Sequence, residues 1–191
     1  MELLSRLSQL LLATPSWRIE LVVLGRPAPQ GSKKVGRWGG LQEASKFVKP
    51  WRQSVAYATM DQHQGPVIDE PCRVEIDFYF DRPATHYGTG RNAGKRKDSK
   101  PFHCISAGCG DIDKLVRATL DGLSTTSGGN VLKDDKLVVE IIARKRYAEI
   151  NKPQMAEILI TAVPPDGFWP SAMKLIEYIR SGMLMGQQSR S

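Results

Sequence analysis

Cysteine is scarce in this chain: Cys72, Cys104 and Cys109 are the only three in 191 residues. An odd, unevenly spaced set does not read as a disulfide framework, so unpaired thiols and a reducing, cytoplasmic compartment are expected. Long apolar runs are missing as well. The opening MELLSRLSQLLLATPSW is interrupted by Glu2 and Arg6 and is followed by no small-residue cleavage site. It reads as a short amphipathic helix, neither a signal peptide nor a membrane span, and no membrane partner is expected. Acid is in deficit: 27 Lys and Arg against 20 Asp and Glu leave a net charge of +7 and a pI near 9.4. That balance points to a partner of negative charge, nucleic acid foremost. No internal repeat is visible, and the length suits one domain with a real core but not two.

Several catalytic signatures are absent too. GRPAPQGSKK superficially suggests a phosphate-cradling loop, but five residues separate Gly25 from Gly31, and Pro27 and Pro29 remove N–H donors that such a loop needs. GTGRNAGK, from Gly88 to Lys95, has the wrong length for a dinucleotide fingerprint and no strand-to-helix context, so no nucleotide cofactor is expected. His103, Cys104 and Cys109 lack a fourth ligand at any standard zinc spacing. Without a G-x-S-x-G elbow, nothing supports acyl transfer.

What is present begins with a clear strand. In CRVEIDFYF, Cys72, Val74, Ile76, Phe78 and Phe80 alternate with polar residues, so one face turns inward. RIELVVL (18–24), KLVVEIIAR (136–144) and AEILITAV (156–163) are apolar and short enough to be further strands. Helices are predicted from Pro50, suited to a first helical position, to about Gln62, with Trp51, Val55 and Ala58 on one face, and from Asp113 to Leu123. The order β, α, β, α, β, β implies an α+β domain: a mixed sheet of about four strands with two main helices packed on it. Residues 1–17 read as an N-terminal extension, 18–163 as the domain, and 164–191, with a possible helix from Ser171 to Ile179, as a C-terminal appendage.

Two long basic segments lie between these elements. Residues 25–52 hold Arg26, Lys33, Lys34, Arg37, Lys46, Lys49 and Arg52 against Glu43 alone, and residues 81–104 hold Arg91, Lys95, Arg96, Lys97 and Lys100 among glycines, with His86 and Tyr87 interleaved. Loops of this length are usually functional or disordered. Basic, glycine-rich and flexible is what a phosphate-tracking loop needs.

Carboxylates stand out against that charge. In CGDIDKLVRATLDGLS, Asp111 and Asp113 open a helix, and in VLKDDKLVVEII, Asp134 and Asp135 precede a strand. The bland reading makes Asp111 an N-cap, Asp113 a dipole-favoured acid paired with Arg117 four residues on, and the DD pair a turn. A sharper one starts from period two, which sets Asp135 on the face of Leu137, Val139, Ile141 and Ala143, expected to be pressed against the helices. Were it to meet Asp111 and Asp113 there, three carboxylates would recruit a hard cation, Mg²⁺ or Mn²⁺. On a basic protein such a site suits phosphodiester hydrolysis, with Arg117 supporting the developing charge. A third reading uses Asp134 and Lys136 as the D-x-K of a restriction-like metal nuclease, and a fourth is a non-catalytic DNA-binding module.

PAPQGSKK, HYGTGRNAG, GDIDKLVRATLDGLS and GGNVLKDDKLVVEI, in this order across about residues 18–163, resemble the RusA-type Holliday-junction resolvases, especially phage-borne ones. The resemblance implies a small α+β homodimer that binds four-way DNA junctions in a bacterial cell and makes paired, Mg²⁺-dependent cuts in recombination and repair. It implies metal ligation by Asp111, Asp113 and Asp135, with Arg117 where relatives commonly carry lysine. Arginine keeps the charge but does not readily give up a proton, so its expected role is electrostatic. Lys114 is implied to contact phosphate, and the basic residues Lys33, Lys34, Arg91, Lys95, Arg96 and Lys97 to bind DNA. AGCG departs from the family pattern of Lys or Arg and Pro before the first aspartate, and Gly110 is expected to loosen the approach to the site.

Overall fold

A computed structural model describes residues 17–31, 33–35, 41–43 and 45–163. The expected helices near the two termini lie outside the described residues. Strand β1 spans Arg18–Leu24, followed by the short pair β2 (Lys33–Val35) and β3 (Leu41–Glu43), helix α1 (Val48–Gln62), β4 (Cys72–Phe80), helix α2 (Ile112–Leu123), β5 (Val138–Tyr147) and β6 (Met155–Ala162). The main sheet has the order β1-β6-β4-β5. Its β1/β6 and β6/β4 pairs are antiparallel and its β4/β5 pair is parallel. A mixed four-stranded sheet with two helices was the expectation. The antiparallel β2/β3 ribbon inside the first basic segment was not, because its three-residue strands are too short to show periodicity.

Alternation in β4 builds the core directly: Val74, Ile76 and Phe78 are fully buried on the face that receives the helices. Register then carries that face across the sheet, setting Ile76 against Ile158 of β6, and Ile158 against Leu21 of β1. From the helices come Val48, Trp51 and Val55 of α1 and Leu115, Ala118 and Leu123 of α2. Truncating Phe78 to Ala would cost about 3–5 kcal/mol through the cavity it leaves. The helices approach closely at Gly122, where an added Cβ would stand 2.7 Å from the Val55 side chain. Trp51 Nε1 donates to Thr119 Oγ1 at 3.1 Å and Arg52 pairs with Asp121 at 2.6 Å, and both tie α1 to α2.

Helix α1 begins two residues before Pro50, which therefore sits in the first turn and not at its opening position. First-turn N–H groups have no intrahelical partner, so the proline costs nothing there.

The inward face of β5 departs from simple period two. Cys72 pairs with Val138 but Arg73 with Glu140, so Val139 is an extra, bulged residue and is 60% exposed. Residues 135–137 form a 3₁₀ turn instead of extended chain, so alternation does not reach Asp135. Ile141 is back in phase with Val74, but β5 is an edge strand and leaves it partly exposed.

A candidate nuclease site split between two ends of the sheet

Asp111 takes the N-cap position of α2, with extended backbone, yet its carboxylate accepts no capping hydrogen bond. It turns instead to Lys114, whose Nζ lies 2.5 Å from Oδ2. That bond and charge, reinforced by Lys145, hold the Asp111 carboxyl below the usual carboxylate range, while the same contact pushes Lys114 up. Asp113 and Arg117 are exposed on one stripe of the helix, opposite the buried Leu115, Ala118 and Leu123. No hydrogen bond or ion pair links them, so the expected i,i+4 salt bridge does not form and both side chains face solvent.

The backbone entering Asp111 is fixed from several directions. Gly110 adopts φ +68°, and an added Cβ would meet Pro29 Cγ at 2.4 Å. Glycine here permits a tight packed turn, which corrects the expectation that it loosens the approach. Lys145 of β5 donates to Gly110 O at 2.7 Å, Arg26 to Gly108 O at 3.3 Å, and the Gln30 N–H to Lys114 O at 3.0 Å. Cys104 and Cys109 form a disulfide, contrary to the expectation of unpaired thiols. Both are buried, and the 3₁₀ turn at Ala107–Cys109 folds the chain back until their Cα atoms are 6.7 Å apart. Five residues of separation in sequence gave no sign of it. Cys72 alone stays free, and burial, with Glu70 adding to it, pushes its thiol up to about 11.

The second basic segment is folded onto itself by its own hydrogen bonds. Gly88 N–H donates to Lys95 O at 2.9 Å and Lys97 N–H to His86 O at 2.8 Å. Arg96 turns its guanidinium onto the carbonyls of Lys97 and Lys100 and so supports the loop, whereas Arg91 and Lys95 point into solvent. Lys97 is exposed and reaches Thr85 O at 3.2 Å. Lys33 and Lys34 lie on β2, whose side chains are outside the described residues.

Asp135 lies elsewhere. Lys145, late in β5, reaches the start of α2 through Gly110, whereas Leu123 at the end of α2 accepts from Leu132 N–H at 3.1 Å, shortly before β5 begins. Helix and strand thus run in opposite directions. Asp135, three residues from both Leu132 and Val138, is separated from Asp111 by much of the helix, whose full length is about 18 Å. Among the described residues, no group of three His, Cys, Asp or Glu side chains is disposed to hold a metal ion. The carboxylate oxygens are the right donors for Mg²⁺ or Mn²⁺, but within one chain the three do not fit a single ion. Asp134 is occupied locally: its Oδ1 accepts from Lys136 N–H at 3.0 Å, and this backbone bond is the main cause that lowers its carboxyl below the usual range.

Lys145 is the residue that sequence reasoning passed over. It sits in a strand where the arginines on either side of it, Arg144 and Arg146, pair with Asp77 on the opposite face, and only the register with Phe78 turns it toward Gly110.

Comparison with known families gives a match to the endodeoxyribonuclease RusA family over residues 25–159, which includes every aspartate discussed above. No individually curated protein matches the chain.

Proposed function

Because the chain belongs to the RusA endodeoxyribonuclease family, we propose that it resolves four-way DNA junctions as a Mg²⁺-dependent homodimer that makes paired, symmetric cuts. The observation that carries this reading is the exposed pair Asp111 and Asp113, set on a firmly held helix start beside an ordered basic loop. Bound at these carboxylates, Mg²⁺ would supply polarisation of the scissile phosphate and activation of water. Arg117, one turn past Asp113 on the same exposed stripe, presents a permanent positive charge toward the phosphate and acts electrostatically. Lys114 holds Asp111 in the free protein and contacts phosphate when DNA arrives. Arg91, Lys95 and Lys97, with Lys33 and Lys34 of the ribbon, gather the DNA backbone.

The third carboxylate comes, in this reading, from a second copy of the chain. The outer edge of β1 is obstructed at its middle, since Gln62 caps both the N–H and the C=O of Val22 at 2.8 Å. Strand β5 is the other edge, and Val139 and Ile141 are exposed along it. A second chain added antiparallel at β5 would reverse direction, bringing one copy's Asp135 to the end where the other copy keeps Asp111 and Asp113. The two-fold symmetry of such a pair suits a four-way junction cut on opposing strands.

A restriction-like site using Asp134 and Lys136 is less well supported, because Asp134 would have to give up its cap on the 3₁₀ turn. Incubating the protein with a labelled four-way junction and a matched duplex, with and without Mg²⁺, tests the proposal. Symmetric nicks in the junction alone, only with Mg²⁺, are expected, and Asp113→Asn should lose them while still binding. Cleavage by that variant at the wild-type rate, or no cleavage by the unaltered protein in Mg²⁺ or Mn²⁺, would overturn it.

A further inference from the structure

Single exposed apolar residues are ordinary, but two in this molecule are presented in an unusual setting. Phe102 and Ile105 are 71% and 72% exposed, at the end of the basic segment that leads to Asp111. Their backbone is pinned. Arg82 donates to Pro101 O at 2.8 Å and to Phe102 O at 3.0 Å, and its guanidinium lies 4.0 Å from the centroid of the Tyr147 ring. The Ile105 N–H bonds to His103 O at 3.0 Å, and the His103 ring meets Phe102 edge-on at 5.4 Å. Between the two exposed side chains Cys104 points inward, buried and joined to Cys109. Only Gly110 lies between Cys109 and Asp111, so the 6.7 Å between the bonded cysteines puts Cys104 at most about 14 Å from Asp111, Cα to Cα.

We propose that Phe102 and Ile105 form a rigid apolar tip that packs on base faces left unstacked at a DNA branch point, next to the phosphate that is cut. The proposal rests on the junction-nuclease reading and adds the means of telling a junction from a duplex. Lys97 and Lys100 precede the tip in the chain and attract phosphates of either DNA without discriminating between them. A continuous duplex hides its base faces in the stack. A branch point exposes them, and an aromatic side chain already held in place loses little freedom on covering one. Charge brings DNA of any shape, and the tip rewards only the shape that offers an open base.

The test uses the full chain in EDTA, a four-way junction carrying 2-aminopurine at the branch point, and a duplex of matched sequence. The double variant Phe102→Ala, Ile105→Ala is expected to bind the junction about tenfold more weakly. Its duplex affinity and the salt dependence of binding should be unchanged, and the 2-aminopurine signal of unstacking should be lost. Phe102→Trp should keep both affinity and signal. Equal weakening on junction and duplex, with or without a lower unfolding temperature, would overturn the proposal, as would an unchanged preference for the junction. If the unaltered protein itself shows no preference, the junction-nuclease reading falls too. A preference that survives the double variant removes only the tip.

Discussion

The end of the sheet that carries Asp111 is held by side chains from several elements, whereas at the end that carries Asp135 backbone bonds hold the segment before it and the turn of Asp135 itself has only a local cap. At the first, Lys145 from β5, Arg26 and Pro29 from the segment after β1, and a disulfide converge on three residues of backbone. At the second, Asp134 caps its own 3₁₀ turn, and Lys133 N–H donates to Ile68 O at 3.0 Å. The difference teaches where each half of the proposed site gets its precision. Asp111 and Asp113 are positioned by their own fold, while Asp135 stands on a peripheral turn that a second chain would have to meet.

The most severe way to break this contrast is a mixing experiment. Asp113→Asn and Asp135→Asn are each expected to lower junction cleavage by about 10³-fold, as removal of a ligand worth several kcal/mol would. If the site is shared, a mixed dimer of the two variants carries one site with both substitutions and one with neither. Mixing should then restore nicking of one strand per junction without the paired cut. A mixture as inactive as its components would place all three acids in one chain and end the contrast between the two ends.

A smaller effect sharpens the first end alone. Lys145→Met removes the ammonium that fixes Gly110 O, and should lower kcat about tenfold, in the range of losses of partners that orient ligands. Junction affinity should hold, and Lys145→Arg should recover most of the rate. Weaker binding at an unchanged kcat would instead make Lys145 a phosphate contact.

Much of this was legible in the residues. Alternation in 72–80 predicted β4 to the residue, and the helix predicted from Asp113 to Leu123 falls within one residue of α2, because one-sided burial leaves a direct pattern. The candidate site was legible only in part. Asp111 and Asp113 could be read from their place at a helix start, but the distance to Asp135 could not, since it depends on α2 running back along β5. The bulge at Val139 broke the counting that had seemed to carry Asp135 inward. Lys145, the disulfide and the packing of Gly110 on Pro29 each join residues from separate segments, and no local pattern encodes such a meeting.

The smallest expected effect concerns how Asp111 is held before DNA or metal arrives. Its hydrogen bond and ion pair with Lys114, and more weakly the charge of Lys145, favour the ionised carboxylate. The folded protein should therefore keep Asp111 charged to a lower pH than the unfolded chain does, whose carboxyl titrates near ~3.9. A group depressed in this way adds stability that is present above its unfolded value and is lost as pH falls through the folded one. Following the Asp111 side-chain carbonyl by NMR should give a midpoint below the ordinary aspartate range, and Lys114→Met should move it upward. The contact is exposed, so raised salt should weaken the difference without abolishing the hydrogen bond. A midpoint that ignores Lys114→Met but rises with Lys145→Met would shift the anchoring of the first end from the helix's own turn to the strand behind it.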